Sequence, residues 1–151
     1  MRISTIFVML LALLSSASFA ESMGSAYIPY NLSATSKASE MGVTISNITD
    51  ETVSVELEMY DLNGSLISSP SAFTNLNGVA INISTSPADA TISFDIPANA
   101  TAAFIYGNWN GHGYGKIAWK QDSNRRTALL AHALRNNNGS FSIPINAGLP
   151  F

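Results

Sequence analysis

Residues 52–60, TVSVELEMY, decide the fold class of this chain. Every second residue of the stretch is apolar: Val53, Val55, Leu57 and Met59. Polar side chains stand between them, including Glu56 and Glu58. A strict period of two is typical of a strand with one buried face, whereas a helix would bring the two glutamates onto its apolar side. The stretch therefore predicts a β-strand that lies against a core.

The same alternation recurs on both sides of this strand. It is found in residues 41–47 (MGVTISN), 91–96 (TISFDI), 114–120 (YGKIAWK) and 140–145 (SFSIPI). Asn63 and Gly64, directly after the first stretch, form the dipeptide that most strongly favours a tight turn. Pro29 cannot donate a hydrogen bond to a neighbouring strand, so residues 26–30 are expected to form an edge strand. The chain is thus predicted to be a series of short strands.

Two further segments require a choice between structures. Residues 97–100 (PANA) predict a turn, and we expect it to join residues 91–96 and 101–106 into a hairpin. Residues 127–135 (TALLAHALR) have the composition of a helix, because alanine and leucine favour helices. The segment is nevertheless short and lies between turns, so we predict a largely buried strand in which His132 is a core histidine.

The spacing of these segments predicts the fold. Strands at intervals of about 8 to 12 residues, with no long helix, indicate an all-β protein. We predict a single antiparallel β-sandwich of about seven strands over residues 21–151. The segments VTISNITDETVSVELEMYDLNGSLI, DIPANATAAFIYG, GYGKIAWK and ALLAHALR resemble the immunoglobulin-like and fibronectin-like sandwiches of bacterial secreted and surface proteins. This resemblance implies an immunoglobulin-like architecture, and function does not transfer with it.

Residues 1–20 have the features of a cleaved signal peptide. Arg2 supplies the positive charge, residues 6–14 are apolar, and Ser18-Phe19-Ala20 is a small-residue cleavage site. The apolar run is shorter than the roughly 20 residues that a membrane span needs, so we expect no stable membrane insertion after cleavage. The chain contains no cysteine, and a domain of about 130 residues can bury a sufficient core without disulfides. We therefore predict an exported protein, periplasmic or extracellular.

Charge is unevenly distributed along the sequence. Residues 21–100 contain nine acidic residues against Lys37 alone, whereas residues 101–151 contain five basic residues against Asp122 alone. One interpretation is that acidic and basic strands pair within a sheet and neutralise one another. The other is a bipolar surface that favours association with a further copy or with an acidic polymer. Five basic residues in a mixed segment form no basic stripe, so nucleic acid is not an expected partner.

Residues 104–120 (FIYGNWNGHGYGKIAWK) contain both tryptophans and four of the ten glycines. Aromatic and polar residues alternate around the loop at residues 107–114, and the candidate ligand-binding residues are Tyr106, Asn108, Trp109, Asn110, His112 and Tyr114. Aromatic rings can bury the apolar face of a sugar while amide and hydroxyl groups bind its hydroxyls. The alternative is that Trp109 covers the end of the sandwich and that Trp119 belongs to the core.

No catalytic residue, metal ligand or cofactor is predicted. His112 and His132 lack a nucleophile in a recognisable motif, and their spacing does not match a zinc site. We therefore predict a non-enzymatic exported binding or structural protein, with a polysaccharide or another surface protein as its partner. The alternatives are a carbohydrate-binding module that uses the aromatic loop, and a self-assembling, pilus-like subunit joined through exposed sheet edges. A homo-oligomer is compatible with each of them.

Overall fold

The computed structural model describes residues 21–33, 40–61, 63–66, 72–75, 83–85, 91–106, 111–136 and 141–151. In chain order the strands are β1 (Ser22–Ser33), β2 (Glu40–Asn47), β3 (Val53–Tyr60), β4 (Ala72–Asn75), β5 (Ile83–Thr85), β6 (Ile92–Ile96), β7 (Thr101–Tyr106), β8 (Gly111–Gln121), β9 (Leu129–Asn136) and β10 (Phe141–Pro144). A short 3₁₀ turn at Ile145–Gly148 follows β10. Within the described ranges, no helix has the length and apolar character that a membrane crossing requires.

The strands form two antiparallel sheets of five. Sheet A has the order β1-β8-β3-β6-β5, and sheet B has the order β10-β9-β2-β7-β4. The predicted all-β, two-sheet sandwich is thereby confirmed. The structure has ten described strands where about seven were expected, and β4 and β5 contain only four and three residues. Such strands are too short to show a clear alternation in sequence.

The core lies between the sheets and is built from alternate residues of each strand. In β3 the residues Val53, Val55, Leu57 and Met59 are all buried. Phe94 of sheet A and Phe104 of sheet B meet across the sandwich with ring centroids 4.7 Å apart. Trp119 is buried as well, as expected for a core residue of β8. The period of two therefore identified the buried face of the central strands correctly.

The predicted hairpin of residues 91–106 is wrong. β6 belongs to sheet A and β7 to sheet B, so the chain crosses from one sheet to the other. The turn itself exists, since the Ala100 N–H donates to the Pro97 carbonyl over 3.1 Å. Asn47 holds this crossing in place, because its side-chain Nδ2 donates to the carbonyls of Ile96 and Pro97, each over 3.0 Å. A turn signal predicts a reversal of the chain but does not say which sheet receives the second strand.

The segment at residues 127–135 is a strand from Leu129 onward, as predicted, but only one of its faces is buried. Leu130 and Leu134 of β9 are each 38% exposed, whereas Leu129 is fully buried. His132 lies on the same outward side as the two exposed leucines and is itself partly exposed. The prediction of a largely buried strand with a core histidine is therefore wrong. The two leucines suggested burial, but in this strand Leu130 and Leu134 lie on the side of sheet B that faces away from the core.

Ion pairs join the acidic and basic parts of the sequence. Lys116 Nζ lies 3.9 Å from Glu58 Oε2, and Lys120 Nζ lies 3.9 Å from Glu21 Oε1. The Arg125 guanidinium contacts the Asp50 carboxylate. Each of these described pairs combines an acid from residues 21–100 with a base from residues 101–151. This arrangement agrees with neutralisation between neighbouring strands, and such solvent-accessible pairs add little to stability.

Candidate functional site

Three tyrosines form a cluster on the outer face of sheet A. Tyr27, Tyr114 and Tyr60 come from the neighbouring strands β1, β8 and β3. The rings of Tyr60 and Tyr114 are stacked, with centroids 4.7 Å apart and planes inclined by 13°. Tyr27 lies 6.2 Å from Tyr114 at a tilted angle. Tyr27 is 61% exposed and Tyr114 is 40% exposed, so aromatic surface on two strands is open to solvent.

The register of the strands creates this cluster. Tyr60 lies directly opposite Tyr114 in the β3–β8 ladder, and opposed residues of antiparallel strands have Cβ atoms about 5 Å apart. Tyr27 lies opposite Lys116, two residues beyond Tyr114 on the same face of β8. Diagonal neighbours at this offset are within reach of aromatic side chains. The alternation that buries Ile117 and Met59 thus places the three tyrosines outward together.

Glu58 supplies the polar partner of the cluster. Its Oε2 accepts a hydrogen bond from the Tyr60 hydroxyl over 2.9 Å and lies 3.9 Å from Lys116 Nζ. Its Oε1 accepts a hydrogen bond from the Thr91 hydroxyl over 3.3 Å. The pKa of Tyr60 is raised to about 12. The largest cause is the hydrogen bond to Glu58, and burial and the charge of Glu58 add to it. Aromatic and charged groups therefore lie side by side on this surface.

A hollow of about 950 Å³ begins next to the cluster and continues along the outer face of sheet A. Lys116 lines its end nearest the tyrosines, and Lys120 lines it further along β8. Between them the lining includes the small side chains of Ser25 and Ala118, which lie opposite each other in the β1–β8 ladder. The centre of the hollow is low, because the side chains of Ser25 and Ala118 are small and add little height to the sheet. The hollow thus combines an open centre with charged and hydroxyl groups around it.

The outer face of sheet B has a different character. Its described side chains include Leu130, His132 and Leu134 of β9, and Thr44 and Ser46 of β2. None of the described side chains on this face is acidic, lysine or arginine. Among the described residues, moreover, no three histidine or acidic side chains converge in the manner of a metal site. In their described side chains the two faces of the sandwich therefore differ in charge, and the tyrosine cluster lies on the face with the described charges.

Tyr114 is the only predicted site residue whose side chain the structure describes. Tyr106 is the last residue of β7, opposite Met41 of β2, and His112 lies in β8 opposite Leu32 of β1. For Tyr106 and His112 the structure describes the backbone but not the side chain. Asn108, Trp109 and Asn110 lie outside the described residues. The prediction of a loop over residues 107–114 is wrong for residues 111–114, because these belong to β8. The binding role of Asn108, Trp109 and Asn110 and the orientation of Trp109 stay predictions.

Sequence reasoning missed the neighbours of Tyr114. Tyr60 could have been found, because it continues the outward positions of Glu56 and Glu58 at the end of the same strand. Tyr27 could not have been assigned to the same cluster, because nothing in the sequence indicates that β1 pairs with β8. The cluster depends on two ladders between strands that are distant in the chain.

No protein-family model matches this chain, and neither a curated protein nor a solved structure matches it.

Proposed function

We propose that this chain is a non-enzymatic, exported binding protein of the periplasm or cell surface, and that it binds a carbohydrate on the outer face of sheet A. The observation that carries the proposal is the cluster of Tyr27, Tyr60 and Tyr114 beside Glu58 and Lys116. An immunoglobulin-like relationship to bacterial surface proteins is part of the proposal. It is supported by the sequence resemblance and by the two antiparallel sheets.

The chemistry of the surface favours a sugar. A pyranose ring has an apolar face and a rim of hydroxyl groups, so a protein binds it well with an exposed aromatic ring next to charged and hydroxyl side chains. Tyr27 and Tyr114 offer exposed rings, and Glu58 and Lys116 offer an acceptor and a donor within the same few ångströms. Water-accessible polar groups bind hydroxyls without the desolvation cost that a buried charge would carry.

The dimensions favour an extended chain of several sugars. From Tyr114 to Lys120 the face spans seven residues of β8, and the six steps between them correspond to about 20 Å along the strand. The hollow next to the cluster leaves room above Ser25 and Ala118 for a ligand that continues past the tyrosines. A polysaccharide segment could therefore contact the rings at one end and the charged groups around the hollow at the other.

The non-enzymatic part of the proposal rests on how the polar groups are engaged. The carboxylate of Glu58 accepts hydrogen bonds from Tyr60 and Thr91 and pairs with Lys116. His132 lies on the outer face of sheet B, on the opposite side of the sandwich from this carboxylate. A ligand that is recovered intact after long incubation with the protein would agree with this proposal, whereas release of shorter products would refute it.

The proposal is tested by measuring binding to a panel of soluble polysaccharides with gel retardation and calorimetry. Tyr27→Ala and Tyr114→Ala should each weaken binding by about fivefold to tenfold, since a lost aromatic contact is worth about 1 to 1.4 kcal/mol. Leu134→Ala is the matched control, because Leu134 is 38% exposed but lies on sheet B. If no polysaccharide binds, or if Leu134→Ala weakens binding as much as Tyr114→Ala does, the proposed surface is wrong.

Trp109→Ala separates this surface from residues 107–110, which precede β8 in the chain. If Trp109→Ala abolishes binding while Tyr27→Ala has no effect, the ligand is held by residues 107–110 and not by the face of sheet A. If both substitutions weaken binding, the two regions contribute to one site.

A further inference from the structure

β1 is an exposed sheet edge of unusual length. It lies at the end of sheet A and, among the described residues, it makes backbone hydrogen bonds to β8 only. The other edge strands, β5, β4 and β10, have three or four residues. From Ser22 to Ile28 the ladder between β1 and β8 is regular, and its first irregularity comes between Ile28 and Asn31. Seven consecutive residues thus present a straight edge.

This edge lacks the features that normally prevent a strand from pairing. Natural edges are protected by lysine, by proline, by bulges or by being short. No residue of Ser22–Ser33 is charged, and Pro29 and the irregularity both come after the seven regular residues. Met23 and Tyr27, the large side chains on its outer side, are 71% and 61% exposed. Ile145–Gly148 lies close to β1, but no described residue pairs with the free side of the strand. Within the described ranges, the edge can therefore accept another strand of suitable pattern.

We propose that two copies of this chain associate through β1, antiparallel and with the two-fold axis at Ser25. The occupant of the edge is a second copy, because a two-fold pairing lets the exposed apolar side chains of Met23 and Tyr27 cover those of the other copy. In a two-fold antiparallel pair centred on Ser25, Met23 of each copy lies opposite Tyr27 of the other. Ser25 lies opposite its own counterpart, and Gly24 lies opposite Ala26.

The choice of register follows from the two faces of the strand. Ala26 and Ile28 are buried beneath sheet A, while Met23 and Tyr27 are exposed above it. A pair centred on a residue keeps buried positions opposite buried positions, whereas a shift by one residue would place Met23 beneath the joined sheet. Among the allowed centres, Ser25 alone engages all seven regular residues and brings the sulfur of Met23 to the ring of Tyr27, a favourable contact.

The resulting dimer has one continuous sheet made of the two five-stranded A sheets. Because the same edge is used by both copies, the contact is closed by the two-fold axis and does not propagate into a fibre. The inference goes beyond the proposed function, since it concerns the edge of sheet A. Tyr27 belongs to both surfaces, so the dimer is tested without a ligand and with variants of Ser25 as well as of Tyr27.

Analytical ultracentrifugation of the purified exported protein over a range of concentrations is the first test. The protein should sediment as a reversible dimer, and a monomer at every concentration would overturn the inference. Ser25→Lys should raise the dissociation constant by about fivefold or more, because it places like charges directly opposite each other. Ser65→Lys, on an exposed turn away from β1, should leave the dimer unchanged. A dimer that tolerates Ser25→Lys fully is not formed through this edge.

Cysteine crosslinking tests the register, and the chain has no cysteine of its own to interfere. Ser25→Cys should form a disulfide-linked dimer about tenfold faster than Ser65→Cys, which reports random collisions. Opposed positions of a β-ladder lie within the Cα distance that a disulfide spans. Equal rates for the two variants would overturn the inference.

Met23→Cys and Tyr27→Cys supply the decisive comparison. In the proposed register either variant alone holds its two cysteines about 14 Å apart along the strands, too far for a disulfide. A mixture of the two variants brings positions 23 and 27 opposite each other and should crosslink. If each variant crosslinks with itself as fast as the mixture does, β1 pairs in a different register and the inference is wrong.

Discussion

Gly24 of β1 lies directly opposite Trp119 of β8, and its missing side chain leaves the space that the indole occupies. A Cβ atom at Gly24 would lie 2.5 Å from Nε1 of Trp119 and less than 3.0 Å from two further ring atoms. The buried Nε1 has no hydrogen-bond partner among the described residues, so the indole is held by packing. The ring is rigid and enclosed by the core, and it cannot move aside as a flexible chain would.

Gly24→Ala should therefore destabilise the protein by about 1 to 3 kcal/mol, the usual cost of overpacking a core. Gly42→Ala in β2 is the matched control, because the nearest atom to a Cβ there is 3.6 Å away. With ordinary van der Waals space and no strain, the control should be neutral or slightly stabilising. Urea unfolding of both variants measures the difference, and equal stabilities would show that the indole is not confined as described.

Asn47 should be the most sensitive polar residue of the described core. Its Nδ2 donates to the carbonyls of Glu51, Ile96 and Pro97, and its Oδ1 accepts from the backbone N–H and the hydroxyl of Thr49. Asn47→Ala leaves several of these groups unpaired, and we expect a loss of about 3 kcal/mol or more. Asn63→Ala, in an exposed turn, should change stability by less than about 0.5 kcal/mol. Similar unfolding midpoints for the two variants would contradict the described network.

The sequence predicted what depends on neighbouring residues and missed what depends on pairing. β3 was identified from its own alternation, and the same pattern correctly assigned Trp119 to the core and Tyr114 to the surface. The crossing from β6 to β7 was missed, because a turn at Pro97 fits a hairpin as well as a change of sheet. Asn47, which holds that crossing, was predicted only as the last residue of the strand at residues 41–47, since its partners Ile96 and Pro97 are far away in the chain.

For the same reason, only part of the candidate site could be predicted from the sequence. Aromatic density drew attention to residues 104–120, where Tyr114 indeed faces outward. Tyr27 and Tyr60 join it through the registers of two ladders, and register depends on how whole strands fit together. Single residues could therefore be proposed, but the cluster and its contact with Glu58 needed the fold.

Phe151 should contribute strongly to stability although it lies in the last described segment. Its ring is buried, and its backbone N–H donates to the Leu129 carbonyl over 2.9 Å. Its carbonyl oxygen accepts from the N–H groups of Ala128 and Leu129, each over 2.9 Å. Phe151→Ala should cost about 3 kcal/mol in unfolding free energy, as expected when a large buried ring is removed.

Leu149→Ala is the control for this experiment. Leu149 lies two residues away and is 63% exposed, so its truncation should change the unfolding free energy by less than about 0.5 kcal/mol. Thermal unfolding of the two variants, side by side with the unaltered protein, gives the comparison. If Phe151→Ala unfolds at the same temperature as Leu149→Ala, the segment after Gly148 does not pack on β9 as described.

The hydrogen bond between Tyr60 and Glu58 predicts a loss of stability at high pH. The pKa of Tyr60 rises from 10.0 to about 12 in the folded protein, chiefly because its hydroxyl donates to Glu58. Between these two values the folded state holds the proton more tightly than the unfolded state does, so the unfolding free energy falls as pH rises. The stabilisation is complete below pH 10 and is lost as pH passes through about 12. Tyr60→Phe lacks the titrating group and should lose less stability over this window.

Glu58→Gln tests the cause of this pH dependence. The substitution keeps the shape of the side chain but removes the negative charge, so the pKa of Tyr60 should fall back toward 10. Chemical shifts of isotope-labelled tyrosine rings, with Tyr60→Phe used to assign the signal, follow the titration directly. Glu56→Gln is the control, because Glu56 lies on the same face of β3 but forms no described bond with Tyr60. If Glu56→Gln lowers the pKa of Tyr60 as much as Glu58→Gln does, the general charge of the face determines this pKa, and the specific bond does not.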